Sequence, residues 1–239
     1  MTGPENLNER LIVALDFPTA ERALAVVGQL DGLVSFYKVG LELYTAAGPE
    51  FVRALAAQGK KVFLDLKFLD IEETVRRATR QVVRLGATFL TVHESGRTLA
   101  AAVEGCKGSD LKILAVTVLT SLGAADIEAM GYRYSVEELV LHGAKRAIAA
   151  GCHGVIASGQ EAAKIRQLAG DEFLIVTPGI RPAGASDDEQ KRAVTPAAAI
   201  RAGADYLVVG RPITQAPDPR AATQRIVDEM QKAFDSLRV

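Results

Sequence analysis

The chain contains 239 residues, of which 49% are hydrophobic and 24% are charged, a composition typical of a folded globular protein. Its net charge of −1 and the lack of a basic run argue against nucleic acid or an anionic membrane surface as a partner. The polar start, MTGPENLNER, is unlike a signal peptide, and no apolar run approaches the ~20 residues of a membrane span. We therefore predict a cytoplasmic protein without membrane partners.

Eight short apolar runs predict eight β-strands, because they are rich in Val, Ile and Leu and most are too short for helices. Continuous apolar runs are typical of parallel strands that are covered on both faces. In chain order the runs are LIVALDF from Leu11, SFYKVGLEL from Ser35, KVFLDLKF from Lys61, TFLTVHE from Thr88, KILAVTVLT from Lys112, GVIAS from Gly154, FLIVTPGI from Phe173 and YLVVGRPI from Tyr206.

The segments between these runs predict helices. SVEELVLHGAKRAIAAG has apolar residues at helical spacing, with Ser135 as the N-cap and Glu138 three residues later, which indicates a capping box. Four glycines each precede a predicted strand, where the left-handed conformation open to glycine can end a helix. They are Gly59, Gly86, Gly151 and Gly203.

Strand–helix alternation repeated eight times within 239 residues predicts a single-domain (β/α)8 barrel, the TIM barrel, over residues 1–239. The alternative is a doubly wound open sheet, which normally has fewer strands and a glycine-rich first turn. The first run instead continues LDFPTAERA, without the GxGxxG or GxxxxGK[ST] motif of nucleotide-binding loops. Cys106 and Cys152 are far apart and lack the spacing of metal ligands, so no metal site is predicted.

In such a barrel the active site lies at the C-terminal ends of the strands. Polar residues stand at almost every predicted strand end, namely Asp16, Lys38, Asp65, Lys67, His93, Thr120, Ser158, Arg181 and Arg211. In the third run, Phe63, Asp65 and Lys67 share one face of a strand, and the apolar residues between them share the other. We expect the apolar face to pack against helices and the charged face to enter the mouth of the barrel.

Charges at that position are costly unless they are paired, and Lys67 could lie between the carboxylates of Asp65 and Asp70. The stretch alone is compatible with a reactive site and equally with a structural ion-pair network. For His93 and Ser158, which also stand at strand ends, we predict structural roles.

The last two strands indicate a phosphate site. TPGIRPAG and VVGRPIT each place a glycine beside an arginine at a strand end, where many barrels bind phosphate. Glycine lets backbone N–H groups approach an anion, and arginine offers a planar fork of donors. Two ordinary turns are the alternative. The polar segment 182–195 could be a lid over the ligand or a surface loop.

At this point the sequence resembles the orotidine 5′-phosphate decarboxylase family. DLKFLDIEET matches the family signature D-x-K-x-x-D-I-x-x-T, and the resemblance extends along the whole chain. ALDF, YKVGLEL, TVHESG, VTVLTS, VTPGIR and LVVGRPIT occur in the order that the family shows. Together these motifs are highly specific, whereas DxKxxD alone would be only moderately so.

The resemblance implies conversion of orotidine 5′-phosphate to uridine 5′-phosphate and CO2, the last step of de novo pyrimidine nucleotide synthesis, without metal ion or cofactor. It implies that Lys67 donates a proton to C6, that Asp65 lies beside the substrate carboxylate and that Asp70 completes the charge array. It also implies a homodimer with sites at the subunit interface, in which Asp70 and Thr74 serve the neighbouring subunit's site.

The resemblance further assigns substrate contacts. It implies that Asp16 and Lys38 bind the ribose hydroxyls and that Thr120 contacts the pyrimidine amide edge. The implied phosphate contacts are Arg181, Gln190, Arg211 and the backbone near Gly210. One departure concerns the signature, since LDIEET stands where many members read HDIPNT, so Leu69, Glu72 and Glu73 replace the family's His, Pro and Asn.

Two other functions compete with this one. The first is a sugar-phosphate decarboxylase or hexulose-phosphate synthase of the same superfamily, which works through an enediolate and Mg²⁺. Its second strand tends to supply a glutamate as a metal ligand, whereas Lys38 stands at that place here and would repel a divalent cation. The second is a non-catalytic barrel that binds a phosphorylated ligand, which would give no reason for the charges around Lys67.

Overall fold

Eight parallel strands close into a barrel in sequence order in the computed structural model, which describes residues 6–182 and 192–237. This confirms the predicted (β/α)8 barrel and excludes the open sheet. The strands are β1 (Leu11–Ala14), β2 (Phe36–Gly40), β3 (Lys61–Phe68), β4 (Phe89–His93), β5 (Lys112–Val116), β6 (Gly154–Ile156), β7 (Leu174–Thr177) and β8 (Tyr206–Val209).

Helices connect the strands and cover the outside of the barrel. Within the described ranges they are a 3₁₀ helix (Leu7–Arg10), α1 (Ala20–Gln29), α2 (Leu41–Ala57), α3 (Glu72–Arg84), α4 (Gly96–Cys106), α5 (Ala124–Ala129), α6 (Val136–Ala149), α7 (Ala162–Ala169), α8 (Pro196–Arg201), α9 (Arg211–Thr214) and α10 (Pro219–Asp235). The short helices α5 and α9 lie in the connections that follow β5 and β8, so these two connections each hold two helices.

The predicted helix ends are confirmed. The Ser135 side chain accepts a hydrogen bond from the Glu138 N–H, and the Glu138 carboxylate accepts one from the Ser135 N–H, which is the capping box expected for α6. The four glycines that precede strands have φ angles between 73° and 96°, in the left-handed region that favours glycine.

The second strand is shorter than predicted. The run SFYKVGLEL predicts one strand, but β2 ends at Gly40 and Leu41 already begins α2. Leu43 is buried on the barrel side of that helix, whereas Leu41 is 59% exposed. An apolar strand followed at once by the apolar face of a helix reads as one continuous run, because a few residues do not separate the two periodicities.

The core has two layers, one between the strands and the helices and one inside the barrel. The inner layer is Ile12, Ala14, Phe36, Phe63, Phe89, Leu114, Val176, Tyr206 and Val208. Its aromatic rings pack at close range, with Phe36 and Phe89 centroids 5.0 Å apart and Phe89 and Tyr206 centroids 5.2 Å apart. Because side chains alternate along a strand, residues two positions further on also point inward, directly above this aromatic layer.

Candidate active site

Four charged residues form an alternating chain of ion pairs at the mouth of the barrel, on the C-terminal side of the aromatic layer. The Lys38 ammonium lies 2.8 Å from Asp16 Oδ1 and 3.6 Å from Asp65 Oδ2. The Lys67 ammonium lies 2.8 Å from Asp65 Oδ1. This charge chain, Asp16–Lys38–Asp65–Lys67, places two cations and two anions in contact, so each inward-facing charge has a partner of opposite sign.

Lys67 reaches the mouth through an irregularity in β3. The pairing register of β3 with β4 shifts between Leu64 and Phe68, and Lys67 has a φ of +50°. Among the described residues it is the only one other than glycine with a positive φ, a conformation that costs free energy in an ordinary strand. The bulge therefore sets the direction of the Lys67 side chain, a feature that regular strand alternation did not predict.

Thr91 on β4 holds this irregular segment. Its hydroxyl accepts a hydrogen bond from the Lys67 backbone N–H at 2.9 Å and donates one to Asp65 Oδ1 at 2.9 Å. Thr91 is fully buried and was not among the predicted site residues. Strand alternation could have found it, because Thr91 is two positions after the inward-facing Phe89 on a strand that ends at the mouth.

Asp70 is not next to Lys67 within one chain. In the described residues no ion pair joins the two, the Asp70 side chain is exposed, and its carboxylate accepts a hydrogen bond from the Ile71 N–H. Of the two carboxylates predicted around Lys67, only Asp65 pairs with it within one chain. Lys38 lies between two carboxylates, those of Asp16 and Asp65, because β1, β2 and β3 are adjacent in the barrel.

The charge chain keeps its buried members ionised. Burial alone would raise the pKa of Asp65, but Lys38 and Lys67 outweigh it, and the pKa lies below its usual value of 3.8. Burial alone would lower the pKa of Lys38, but Asp65 and Asp16 outweigh it, and the pKa lies above its usual value of 10.5. Both groups are thus charged throughout the neutral range.

The electrostatics give a prediction for stability against pH. Asp65→Asn should lower the free energy of unfolding by about 1–3 kcal/mol at pH 7, because it removes a charged acceptor from two ammonium groups. The pKa of Asp65 is lower in the folded state than its usual value of 3.8. Its contribution to stability is therefore present above pH 3.8 and is lost as the pH falls through the lower pKa of the folded state. Urea unfolding of the wild-type protein and of Asp65→Asn, measured from pH 7 to pH 3, should show that the difference between their free energies of unfolding becomes smaller in acid. A difference in free energy of unfolding that stays constant over this pH range would contradict this electrostatic account.

A cavity of about 300 Å³ opens above the charge chain and brings most predicted site residues together. Its lining includes Asp16, Lys38, Asp65, Lys67, Thr120, Arg181, Gly210 and Arg211. Apolar side chains from four strands and the loop after β5 form the wall between the charged ends, namely Phe63, Val116, Val118, Leu119, Ile156 and Val208. The cavity therefore combines a charged end, an apolar wall and a second end with two arginines, which suits a flat ligand that carries a phosphate.

Two predicted site residues, Asp70 and Thr74, do not line this cavity. Asp70 and Thr74 are exposed at the end of the β3–α3 connection and in the first turn of α3. Gln190 lies outside the described residues, as does most of the predicted lid, residues 183–191. Of the remaining strand-end residues, Ser158 is fully buried and donates a hydrogen bond to the Arg192 carbonyl, which is the structural role expected for it.

The chain matches the family model described as Orotidine 5′-phosphate decarboxylase / HUMPS family over residues 9–226. An orotidine 5′-phosphate decarboxylase of Rhodopseudomonas palustris (strain BisA53) is 53% identical over 230 residues, covering 96% of this chain and 98% of the relative. One of Nitrobacter winogradskyi is 52% identical over 237 residues, covering 98% and 99%.

Solved structures of similar chains have the same fold. The crystal structure of orotidine 5′-phosphate decarboxylase from Lactobacillus acidophilus superposes with a TM-score of 0.82 at 39% identity, covering 93% of this chain and 99% of that one. An uncharacterized conserved protein from Geobacillus kaustophilus gives a TM-score of 0.80 at 37% identity. Within the described ranges, no helix is both long enough and apolar enough to cross a bilayer.

Proposed function

Because the chain belongs to the orotidine 5′-phosphate decarboxylase / HUMPS family, we propose that it converts orotidine 5′-phosphate into uridine 5′-phosphate and CO2, with Lys67 as the proton donor to C6 and without a metal ion or cofactor. The chain is a carboxy-lyase of this family, as its full-length relatives are. The observation that carries the rest is the charge chain, because it places a paired ammonium group, Lys67, in the lining of a cavity that suits a nucleotide.

The chemistry requires stabilisation of a carbanion. When the bond between C6 and the carboxylate carbon breaks, CO2 leaves and the electron pair stays on C6, where the ring does not delocalise it. A fixed positive charge beside C6 stabilises that pair as it develops. Two unit charges ~4 Å apart at an effective dielectric of ~20 interact by roughly 4 kcal/mol. Lys67 then transfers a proton to C6 and recovers one from water.

The neighbours of Lys67 support this role. Asp65 fixes the ammonium from one side, and Thr91 fixes the backbone that carries it, so the cation is held in place before the substrate arrives. Asp65, which is ionised, would lie beside the substrate carboxylate and would repel it more strongly before CO2 leaves than afterwards. Lys38 and Asp16 would bind the ribose hydroxyls at the other end of the charge chain.

The position of Lys38 favours decarboxylation without metal over the Mg²⁺-dependent chemistry of the sugar-phosphate enzymes. The Lys38 ammonium occupies the space between the Asp16 and Asp65 carboxylates, where a divalent cation would need oxygen ligands. A cation already bound there repels a second one. The two carboxylates are then partners of a lysine, and Asp16 remains available to the ribose hydroxyl groups.

The opposite end of the cavity suits the 5′-phosphate. Arg181 follows β7 and Arg211 begins α9 directly after β8, next to Gly179 and Gly210, and all four line the cavity. Guanidinium groups and glycine N–H groups together bind phosphate oxygens. Gln190 is proposed as a further phosphate contact and Thr120 as a contact to the pyrimidine amide edge, both from the family resemblance.

We also propose a homodimer in which Asp70 and Thr74 enter the neighbouring subunit's site. Both side chains are exposed, and neither lines the cavity of its own chain. Leu69 and Ile71 on either side of Asp70 are 63% and 73% exposed, which leaves apolar surface beside the charged residue. Contact with a second copy would cover this surface and bring Asp70 towards the partner's cavity.

A comparison of two substrates tests the proposed reaction against its nearest rival. Orotidine 5′-phosphate with excess EDTA should be decarboxylated at the same rate as with Mg²⁺, whereas a hexulose 6-phosphate with Mg²⁺ should not be consumed. Turnover of orotidine 5′-phosphate that disappears with EDTA and returns with Mg²⁺ would overturn the metal-independent mechanism.

Gly40 gives a prediction about the ribose end. A Cβ atom at this position would lie 2.9 Å from Lys38 Nζ and 3.1 Å from Asp16 Oδ1, so Gly40→Ala must displace the pair. Its φ is −95°, which alanine adopts without strain, so folding should be nearly unaffected. We expect kcat/KM for orotidine 5′-phosphate to fall about 10-fold or more, since small displacements of positioning groups can cost ~10²-fold. Equal kcat/KM in both proteins would show that the pair does not position the ribose.

A further inference from the structure

The connection that carries Asp70 lies against helix α4. Residues 69–71 link the end of β3 to the start of α3, and the Asp70 side chain is exposed. The Thr98 hydroxyl, in the first turn of α4, donates a hydrogen bond to the Asp70 carbonyl oxygen at 3.4 Å. Thr98 is 4% exposed, so its hydroxyl is shielded from water. The backbone of Asp70 is therefore tied to α4, while its side chain stays accessible to another molecule.

Helix α3 itself packs directly on the same face of α4. Gly105 is seven residues after Thr98, two helical turns further along this face. A Cβ atom at Gly105 would lie 2.7 Å from the Arg76 carbonyl oxygen and 2.9 Å from Thr79 Cβ, both in α3. A side chain at position 105 would push the two helices apart, so Gly105 sets the distance between them.

Two ion pairs also join α3 to α4. Glu72 pairs with Arg97 at 3.6 Å. Arg76 pairs with Glu73 in its own helix and with Glu104 of α4 at 2.9 Å. The two glutamates that stand in place of the family's Pro and Asn thus have basic partners where the helices meet. Exposed ion pairs contribute little individually, so we assign the main hold on α3 to the two buried contacts.

We propose that α4 positions Asp70 for the neighbouring subunit's active site, with Thr98 and Gly105 as the positioning residues. Thr98 fixes the Asp70 carbonyl and Gly105 fixes the depth at which α3 lies, so together they set where the Asp70 carboxylate reaches the partner's cavity. The inference rests on the proposed homodimer. Neither positioning residue lines the cavity of its own chain, so their effect on turnover passes through Asp70.

Two substitutions disturb these contacts in different ways. Thr98→Val keeps the shape of the side chain and removes the hydroxyl. Gly105→Ala displaces α3 and leaves α4 helical, since alanine is the better helix former. Each should lower kcat for orotidine 5′-phosphate by about 10-fold, since small displacements of positioning groups can cost ~10²-fold. Thr98→Ser, which keeps the hydroxyl, should retain most of the wild-type kcat.

Mixed dimers, purified with different tags on the two chains, show which site carries the defect. When a Thr98→Val subunit is paired with a Lys67→Ala subunit, its Lys67 meets an Asp70 that is held by an intact Thr98, so this site should work at the wild-type rate. When it is paired with an Asp70→Asn subunit, the one site that receives an aspartate at position 70 receives it from the Thr98→Val subunit. The first mixed dimer should therefore be about 10-fold more active than the second. A defect confined to the altered subunit's own site would reverse this order.

Thr223→Val is the matched control for the loss of a buried hydroxyl. Thr223 is another buried threonine that donates to a backbone carbonyl, that of Pro219 at 2.8 Å, but it lies in α10, which follows β8. Its replacement should lower thermal stability and leave kcat unchanged. A lower kcat in Thr98→Val is then not explained by destabilisation alone.

Gly105→Ala keeps the inference testable if Thr98→Val does not fold, and it should give the same order of activity in the two mixed dimers. A folded Thr98→Val protein with the wild-type kcat, or mixed dimers that are equal or reversed in activity, would overturn the inference. An inactive mixed dimer of Lys67→Ala and Asp70→Asn would overturn the cross-subunit arrangement on which it rests. Failure of the wild-type protein to decarboxylate orotidine 5′-phosphate would instead overturn the proposed function.

Discussion

Lys67→Ala is expected to reduce the turnover of orotidine 5′-phosphate by about 10⁴-fold or more, because it removes both the charge that stabilises the carbanion and the proton that C6 receives. Nucleotide binding should be retained, because the side chains proposed to bind the ribose and the phosphate, Lys38, Arg181 and Arg211, are unchanged. Steady-state kinetics give the loss in kcat, and calorimetry with uridine 5′-monophosphate gives the retained affinity.

Lys61→Ala is the matched control for this substitution. Lys61 lies at the start of the same strand, at the opposite end of the barrel from the cavity, and pairs with Glu9 on the surface. Its replacement removes a lysine from β3 without touching the charge chain, so turnover should stay near the wild-type rate. Normal turnover in Lys67→Ala would contradict the proposed role of Lys67.

Mixing two inactive variants is expected to restore activity if Asp70 acts across the subunit interface. Lys67→Ala and Asp70→Asn homodimers each have two defective sites. In a mixed dimer, the Lys67→Ala subunit supplies its intact Asp70 to the partner's intact Lys67, so one of the two sites is complete. A statistical mixture should recover roughly a quarter of wild-type activity, because half the dimers are mixed and each has one working site.

Lys67→Ala mixed with Asp65→Asn is the matched control for the mixing experiment. Asp65 and Lys67 are 2.8 Å apart in one chain, so each subunit in that mixed dimer carries its own defect and no site is complete. This pair should stay inactive when the two chains are co-expressed with different tags and the mixed dimer is purified. If the pair with Asp70→Asn stays inactive as well, Asp70 does not complete the partner's site.

Strand periodicity predicted much of the fold and of the site. The eight apolar runs correspond to eight strands, and the inward positions of Phe63 and Asp65 follow from a period of two. The same rule failed at the end of β2, where the apolar face of a helix follows the strand without a break. It also could not predict the positive φ at Lys67, because a bulge depends on contacts with the neighbouring strand.

Contacts between distant segments were the least predictable part of the site. Lys38 lies between Asp16 and Asp65 because β1, β2 and β3 are neighbours in the barrel, and this pairing was not predicted from the short stretch around Lys67. Thr91 carries no motif of its own. Its contact with the site comes from a hydrogen bond to Lys67, 24 positions away along the chain, which only the closed barrel brings together.

The central claim is tested most directly by adding orotidine 5′-phosphate to the purified protein with excess EDTA and following its ultraviolet absorbance together with released CO2. We predict complete conversion, with one uridine 5′-phosphate and one CO2 formed for each substrate molecule consumed. A correctly folded protein that leaves orotidine 5′-phosphate unchanged under these conditions would contradict the proposed function.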